Sequence, residues 1–442
     1  MTLSDRVRAA GVVGAGGGGF PSHVKVAAKA EYVIANGAEC EPLMHKDAEL
    51  MAAHAEDIIT GMSAVMEAVG ATTGIIGIKA KNTEAVKALT EASKATPIGL
   101  HILGDFYPSG DEFVLVYEAT GRLIPPAGIP LDVGAVVLNV ESLCNIAAAL
   151  QGTPVTHKWL TVTGAVSRPY SCRVPVGVTF RQLVDAAGGA RPSDPAVMVG
   201  GAMMGRLTRD LDECVTKTTG GIIVLPGDHP LVARLGKPEP AMHRIGKSTC
   251  DQCSYCTELC PRYLLGYKIE PHKVMRSLLF DITGQDGWNQ WGQLCCECGL
   301  CTLYACPEDL FPREACQRVK QEFLEMDLTD RPPVLGKEDP VTAHPMYESR
   351  RIPVKQLTRR LGLVDYDLPA PFQDILLSPA RVRLPLKQHA GAPASACVAS
   401  GASVQAGDLV AEVPDGTLGA RIHASISGTV QILQDAVQID AV

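Results

Sequence analysis

The stretch STCDQCSYCTELCPRYLLG, residues 248–266, followed further on by QLCCECGLCTLYACPEDL, residues 293–310, decides how this chain is read. The first run is Cys250-x2-Cys253-x2-Cys256-x3-Cys260-Pro261. This is the bacterial ferredoxin spacing, in which three thiolates on one tight loop grip three corners of a [4Fe–4S] cubane. The second run is Cys295-x2-Cys298-x2-Cys301-x4-Cys306-Pro307, with one extra residue before its last cysteine. A spare Cys296 leaves open whether it or Cys295 is the ligand. Two runs, each closed by Cys-Pro, predict two clusters. In two-cluster ferredoxins the fourth cysteine of each run ligates the other cluster. Cys250, Cys253, Cys256 and Cys306 are therefore assigned to one centre, and Cys295, Cys298, Cys301 and Cys260 to its partner. Structural zinc is the competing chemistry, since CxxC pairs also build four-thiolate zinc sites. Zinc needs only two such pairs, whereas each run here adds a third regularly spaced cysteine and a Cys-Pro. Disulfides fit poorly, because the cysteines number 15, an odd count, and no secretory leader is recognisable. The chain reads as an electron carrier.

A length of 442 residues exceeds one ordinary core and suggests about three domains. Hydrophobic residues at 46% and charged residues at 20% are those of a globular protein, and a formal charge of −8 without any basic block argues against a nucleic-acid partner. The longest apolar stretch, residues 58–78, is interrupted by Glu67 and several glycines. It reads as a helix end followed by a buried strand, so no membrane span is expected. Oxygen-labile clusters and free thiols fit a reducing cytoplasm.

Upstream, strand and helix patterns alternate: strand Tyr32–Ala35, helix Lys46–Val69, strand Gly74–Ile78, helix Asn82–Ser93 and strand Ile98–Leu103. Such alternation predicts an α/β domain with a largely parallel sheet. GAGGGGFP, residues 14–21, matches G-x-G-x-x-G at Gly14, Gly16 and Gly19, and a helix capped near Ser22 is expected to run to Ala30. Glycines let backbone N–H groups approach a phosphate, and a helix N-terminus favours its charge. The preceding strand is only Val12-Val13, so a plain flexible turn stands beside nucleotide binding as a reading of the loop. Asp111 and Glu112 could accept hydrogen bonds from ribose, or simply match the dipole of a first helical turn; Glu141 and Ser142 invite the same caution. From about Val155 to Leu225, short strands around one helix suggest a β-grasp module, with Met203 and Met204 as adaptable packing. Polar, proline-containing linkers, residues 227–246 and 331–345, flank the cysteine runs. The β-rich tail has the texture of a biotinyl or lipoyl barrel-sandwich, but no lysine sits at the hairpin centre, so a structural role is expected. Cys40, Cys144, Cys172, Cys214, Cys316 and Cys397 lack ligand spacing and read as packed thiols.

Three phrases carry a resemblance: GAGGGGFPSHVK at 14–25, VIANGAECEP at 33–42 with Asp47 close behind, and VLNVESLCNIAAAL at 137–150. They resemble the flavoprotein, NADH-binding subunit of respiratory complex I. They are closer to the C subunit of the Rnf electron-transport complex, and the order of parts is most similar to the PduS-type cobalamin reductases of propanediol-utilising microcompartments. A barrel-sandwich at the C-terminus favours the last family over Rnf, where it is expected at the N-terminus. The resemblance implies an α/β multidomain protein. Its parts would be a Rossmann-like FMN/NADH-binding domain over 1–152, an SLBB β-grasp module over 153–228, an α-helical ferredoxin-like domain with two [4Fe–4S] clusters over 240–330, and a barrel-sandwich hybrid over 370–442.

By the same resemblance, Gly14, Gly16, Gly17, Gly19 and Lys25 would wrap FMN, and Asn36, Glu39, Asn139 and Ser142 would hold its ribityl chain and ring. Phe20 would stack on a ring of NADH, while Glu41, Asp111 and Glu112 would lie along the dinucleotide. Cys40 and the Ser109-Gly110-Asp111-Glu112 segment depart from the complex I pattern. The implied activity is electron transfer from NADH through FMN and two clusters to a corrinoid. The DxHxxG phrase that supplies a lower-ligand histidine is absent, so the corrinoid is expected to bind with its own base, against the β-grasp module. A cobalamin adenosyltransferase and microcompartment shell proteins are the implied partners, with a location inside or attached to a microcompartment. Two other readings stand beside this one: an Rnf-like NADH:ferredoxin subunit, and a non-enzymatic relay at a protein shell. No catalytic acid–base pair or triad is visible.

Overall fold

A computed structural model describes every residue except 239, 243–248, 278–289, 326–339, 376, 415 and 442. Parts of both linkers, 227–246 and 331–345, lie outside the described residues.

The N-terminal sheet is fully parallel, in the order Ile98–Leu103, Thr73–Lys79, Tyr32–Gly37, Ala135–Asn139. Side chains alternate between its faces, and helices cover both, which is why these strands read as continuous apolar runs. Val33 and Ala35 join Ile58, Met62 and Val65 of helix Ala55–Val69 and Leu143 and Ile146 of helix Val140–Leu150. Ile34 faces the other way, toward Leu115 and Val116 of helix Glu112–Thr120. Asn36 and Asn139 are register partners at the carboxyl ends of adjacent strands, the edge where open α/β sheets bind ligands.

Local patterns end in places where tertiary contacts take over. The helix expected over Lys46–Val69 is two, Lys46–Ala53 and Ala55–Val69, because His54 leaves helical geometry at φ −127° and ψ 35°. Its ring is held edge-on to Trp159 at 5.1 Å and bonded to Asp57 at 2.9 Å. The helix after the glycine loop is only Ser22–Lys25, and Ser22 makes no cap bond. Gly70, at φ +76°, ends Ala55–Val69 and turns the chain into the next strand, so the apolar stretch 58–78 is a helix end and a strand. Among the described residues, no helix is long and apolar enough to cross a membrane.

The middle module is a mixed five-stranded sheet, ordered Tyr170–Pro175, His157–Gly164, Gly221–Pro226, Pro195–Val199, Arg206–Thr208, with helix Phe180–Ala186 packed on it. The C-terminal strands form a four-stranded and a three-stranded sheet. Their core residues Val382, Leu384, Val404, Val410 and Ile439 belong to one apolar cluster with Leu160, Val162, Phe180 and Ile222 of the middle module. The two expected domains thus share a core. Arg383 N donates to Gly177 O at 3.1 Å across the join. Between them in sequence, short helices carrying the cysteine runs pack around Leu265, Met275, Trp291, Val319 and Phe323. The chain then returns to the first domain, where Ile352–Pro353 pairs antiparallel with Phe106–Tyr107.

Candidate functional site

The glycine loop is closed by Gly14 N to Phe20 O at 2.9 Å, Gly19 N to Gly14 O at 3.1 Å and a bridge between Val13 and Pro21. It does not follow a strand of the parallel sheet, as the G-x-G-x-x-G context would require. Instead it arches over the sheet's carboxyl edge. A Cβ on Gly17 or Gly18 would meet nothing within 4 Å, so these residues border open space, while Gly16 lies against Asn139. Gly19 needs its glycine: φ is +63°, and a Cβ would stand 2.9 Å from Thr218.

Below the loop opens a cavity of about 360 Å³, within the size range of small-ligand clefts. Gly14, Gly16, Gly17, Gly19, Phe20, Lys25, Asn36, Glu39, Glu41, Asp111, Glu112 and Asn139 all line it. Ser142 does not: it is buried, and its Oγ accepts from Ala15 N at 2.9 Å and donates to Val13 O at 3.1 Å. It positions the loop.

Several expected ligand groups already have partners. Lys25 Nζ donates to Glu112 Oε1 at 3.0 Å and Val137 O at 2.8 Å. Asn36 Nδ2 donates to Gly110 O at 2.9 Å. Asn139 caps its helix by accepting from Glu141 N at 3.0 Å and donates to Asp47 Oδ2 at 3.0 Å. Asp111 caps helix Glu112–Thr120 through Phe113 N and Val114 N, and pairs with the buried Arg262 of the cluster domain at 3.0 Å. That guanidinium also lies 3.5 Å over the Phe113 ring. Glu41 accepts from Met203 N and Met204 N, both at 2.9 Å, so the GGAMMG loop is docked on this carboxylate. Burial pushes Glu41 up to about 7. Glu39 is pushed up too, by burial first and then by Asp47.

Behind the loop lies a buried ionic network. Glu141 Oε2 accepts from Lys46 Nζ at 3.1 Å and from Lys158 Nζ, while its Oε1 accepts from Trp159 N at 3.1 Å. Lys158 also donates to Ala15 O at 2.9 Å, tying the network to the glycine loop. Burial lowers Lys158 to about 8 against the pull of Glu141. Burial also works against Lys46, but Asp47 and Glu141 outweigh it and hold that ammonium charged.

The cysteine runs fold into matching loops. Gln252 and Ser254 have φ of +59° and +65°, and Glu297 and Gly299, at the equivalent positions of the second run, have +59° and +81°. This register aligns Cys295, rather than Cys296, with Cys250. Cys250, Cys253, Cys256 and Cys306 line one small cavity of about 20 Å³. Cys260 in turn is buried beside Cys295 and Cys296, and burial first, then those neighbours, push its thiol up. Cys306 thus sits with the first run's cysteines and Cys260 with the second's, which is where an exchange of fourth ligands would require them. Backbone N–H groups point at sulfur, Leu310 N to Cys306 at 3.3 Å and Glu297 N to Cys295 at 3.3 Å. Two sets of soft thiol donors with N–H support suit iron–sulfur cubanes. Among the described residues, no three His, Cys, Asp or Glu side chains converge as a single ion requires.

The cavity suits a flavin nucleotide: it offers open glycine N–H groups, the Lys25 ammonium, and a buried Ser22 hydroxyl with no partner of its own. Cys298 also forms part of this wall, and Tyr107 Oη donates to Cys298 O at 2.7 Å. The sequence reading missed the second role of Cys298, together with Tyr107, Lys46, Lys158 and the cavity-lining Thr218 of the middle module, and it read Glu141 only as a possible helix start and Met204 only as packing. Asp47, which follows VIANGAECEP, and Glu141, at the start of its helix, are the local signals for the network.

Comparison with known proteins matches residues 7–148 to the Nuo51 FMN-binding domain, 160–207 to the SLBB domain, 249–311 to the 4Fe-4S dicluster domain and 372–441 to the RnfC barrel sandwich hybrid domain. The chain is 43% identical to the cobalamin reductase PduS of Citrobacter freundii, over 97% of this chain and 94% of that protein. It is equally 43% identical to the cobalamin reductase PduS of Salmonella typhimurium, over 98% and 95%. The C component of the Na(+)-translocating ferredoxin:NAD(+) oxidoreductase complex of Acetobacterium woodii is 36% identical over 58% of this chain and 56% of that protein.

Proposed function

We propose that this chain, which belongs to the family of the cobalamin reductase PduS, passes electrons from NADH through FMN and two [4Fe–4S] clusters to a corrinoid. The observation that carries the reading is the wall at Cys298: a cysteine of the second run also lines the cavity under the glycine loop. Donor and acceptor cofactors would then be neighbours.

The glycine N–H groups with Lys25 would take the FMN phosphate, and Ser22, Asn36, Glu39 and Asn139 the ribityl chain and ring. Phe20 is at hand for a ring of NADH. Glu41 and Asp111 hold the domains together, so Glu112, partly exposed and paired with Lys25 at 3.0 Å, is the acidic side chain placed to meet the dinucleotide. When bound, FMN supplies the conversion between a hydride and single electrons that NADH and cubanes otherwise lack. The protein's part is to orient and insulate. Lys158 and Ser142 fix the loop from behind, Tyr107 fixes the Cys298 peptide, and exchange of Cys260 and Cys306 holds the two centres side by side. We further infer delivery of reduced corrinoid to a cobalamin adenosyltransferase, and work in the cytoplasm inside or on a microcompartment with its shell proteins. The resemblance to propanediol-utilisation proteins supports this setting.

Anaerobic reconstitution with iron, sulfide and FMN, followed by NADH, tests the core of the proposal. Flavin and cluster absorbance should bleach and then recover as aquacobalamin is converted to cob(II)alamin. Bleaching with an unchanged corrinoid spectrum would remove the corrinoid from the scheme; no bleaching at all would remove NADH.

A further inference from the structure

A second concavity, an open groove of about 570 Å³, lies on the cluster domain away from the flavin cavity. Its lining includes Tyr255, Leu259, Tyr304, Gln356, Arg359 and Arg360, and its remaining residue is Ala305. The floor is what distinguishes it. Leu259 and Ala305 pack directly on Cys256 and Cys301, one cysteine from each set. Tyr255, Leu259 and Ala305 are also the chain neighbours of Cys256, Cys260 and Cys306. The groove is therefore one side-chain layer from a cysteine of each set, and it shares no lining residue with the cavity under the glycine loop.

Its chemistry is specific as well. Tyr255 is 52% exposed, and Tyr304 is fixed by its hydroxyl bond to Gln356 at 3.1 Å. Arg360 reaches Cys306 O at 3.5 Å and pairs with Asp309 at 3.1 Å. Arg359 is exposed and has no acidic partner among the described residues. Two phenol rings and a leucine offer an apolar platform for a broad, flat macrocycle, and the exposed Arg359 guanidinium among the lining residues suits a phosphodiester. The β-grasp module, where sequence reading expected the corrinoid, instead turns Met204 and Thr218 toward the flavin cavity.

We infer that this groove is the electron-exit site and binds the corrinoid, with the macrocycle over Tyr255 and Tyr304 and the phosphodiester of its nucleotide loop at Arg359. The inference rests on the corrinoid reading above. Each cobalt takes one electron, so one NADH becomes NAD⁺ and a proton while two Co(III) become two Co(II).

The test uses the reconstituted full chain with aquacobalamin, and with cobinamide, which lacks the phosphodiester. Arg359→Glu should raise the KM for aquacobalamin about tenfold, the loss of one charge-assisted contact, and leave that for cobinamide within twofold. Tyr255→Ala should raise both. Iron, sulfide and NADH-driven bleaching report that each variant is folded and loaded. An unchanged KM for aquacobalamin in Arg359→Glu overturns the groove, as does an equal rise for both corrinoids. Impaired transfer only to an acidic ferredoxin overturns it too, in favour of a protein acceptor. If the unaltered protein reduces neither corrinoid, the failure belongs to the proposed function instead.

Discussion

Replacing Glu141 by leucine should strand Lys158. The ammonium is 1% exposed, and its other partner is the uncharged Ala15 O at 2.9 Å. Lys46 suffers less because Asp47 stays beside it at 2.5 Å. Removing one member of a buried ion pair costs about 3–5 kcal/mol, since the survivor keeps its desolvation penalty. The expected loss at pH 7 is in that range, read from urea unfolding followed by tryptophan fluorescence, with Trp159 reporting directly on the site. The double variant Glu141→Leu/Lys158→Met should recover at least half, because no charge is then left buried. The pH dependence follows from Lys158 lying near 8 rather than 10.5. A depressed lysine means the folded state binds fewer protons than the unfolded one between those values, so that group's contribution rises with pH. By pH 9 the pair is largely discharged in the parent protein, and the deficit of the single variant should shrink. Since Lys158 secures the glycine loop, FMN binding should weaken about tenfold at pH 7. A deficit below 1 kcal/mol, or one that grows toward pH 9, would refute the argument that the network is charged and holds the loop.

Three further outcomes are expected. Gly19→Ala places a side chain at φ +63° and 2.9 Å from Thr218, which should cost about 1–2 kcal/mol and weaken FMN in a fluorescence titration, with apo-protein secondary structure unchanged by circular dichroism. Cys306→Ala should remove the centre lined by Cys250, Cys253 and Cys256, halving bound iron; loss of the other centre, distinguished by electron paramagnetic resonance, would contradict the exchange. Lys217 is buried on the carbonyls of Gly11 and Arg421, at 2.7 and 2.5 Å, and burial lowers it to about 7. By the same proton balance, thermal stability should climb between pH 7 and pH 10, and Lys217→Met should flatten that slope.

The amino-acid sequence by itself determined whatever is encoded within a few residues. Three cysteines with two residues between each pair place sulfurs on one loop by backbone geometry alone, and the same left-handed positions recur in both runs at Gln252 and Glu297. A continuous apolar run likewise sufficed for the strand Tyr32–Gly37, because helices on both faces of a parallel sheet bury Val33, Ile34 and Ala35 alike. The three short phrases that carry the resemblance all contribute to one cavity. Only the tertiary structure decided which of those groups are free to bind. Asp111 turns to Arg262, Glu41 to the amides of Met203 and Met204, and Ser142 to the back of the loop. It also decided that Lys158 and Glu141 neutralise each other in the interior, that the middle and C-terminal modules share one core, and that Cys298 faces the cavity. Each of these joins residues remote in the chain, where no local period or spacing constrains distance. Their meeting is set by packing, which brings charges into a low-dielectric interior and makes an unmet partner costly.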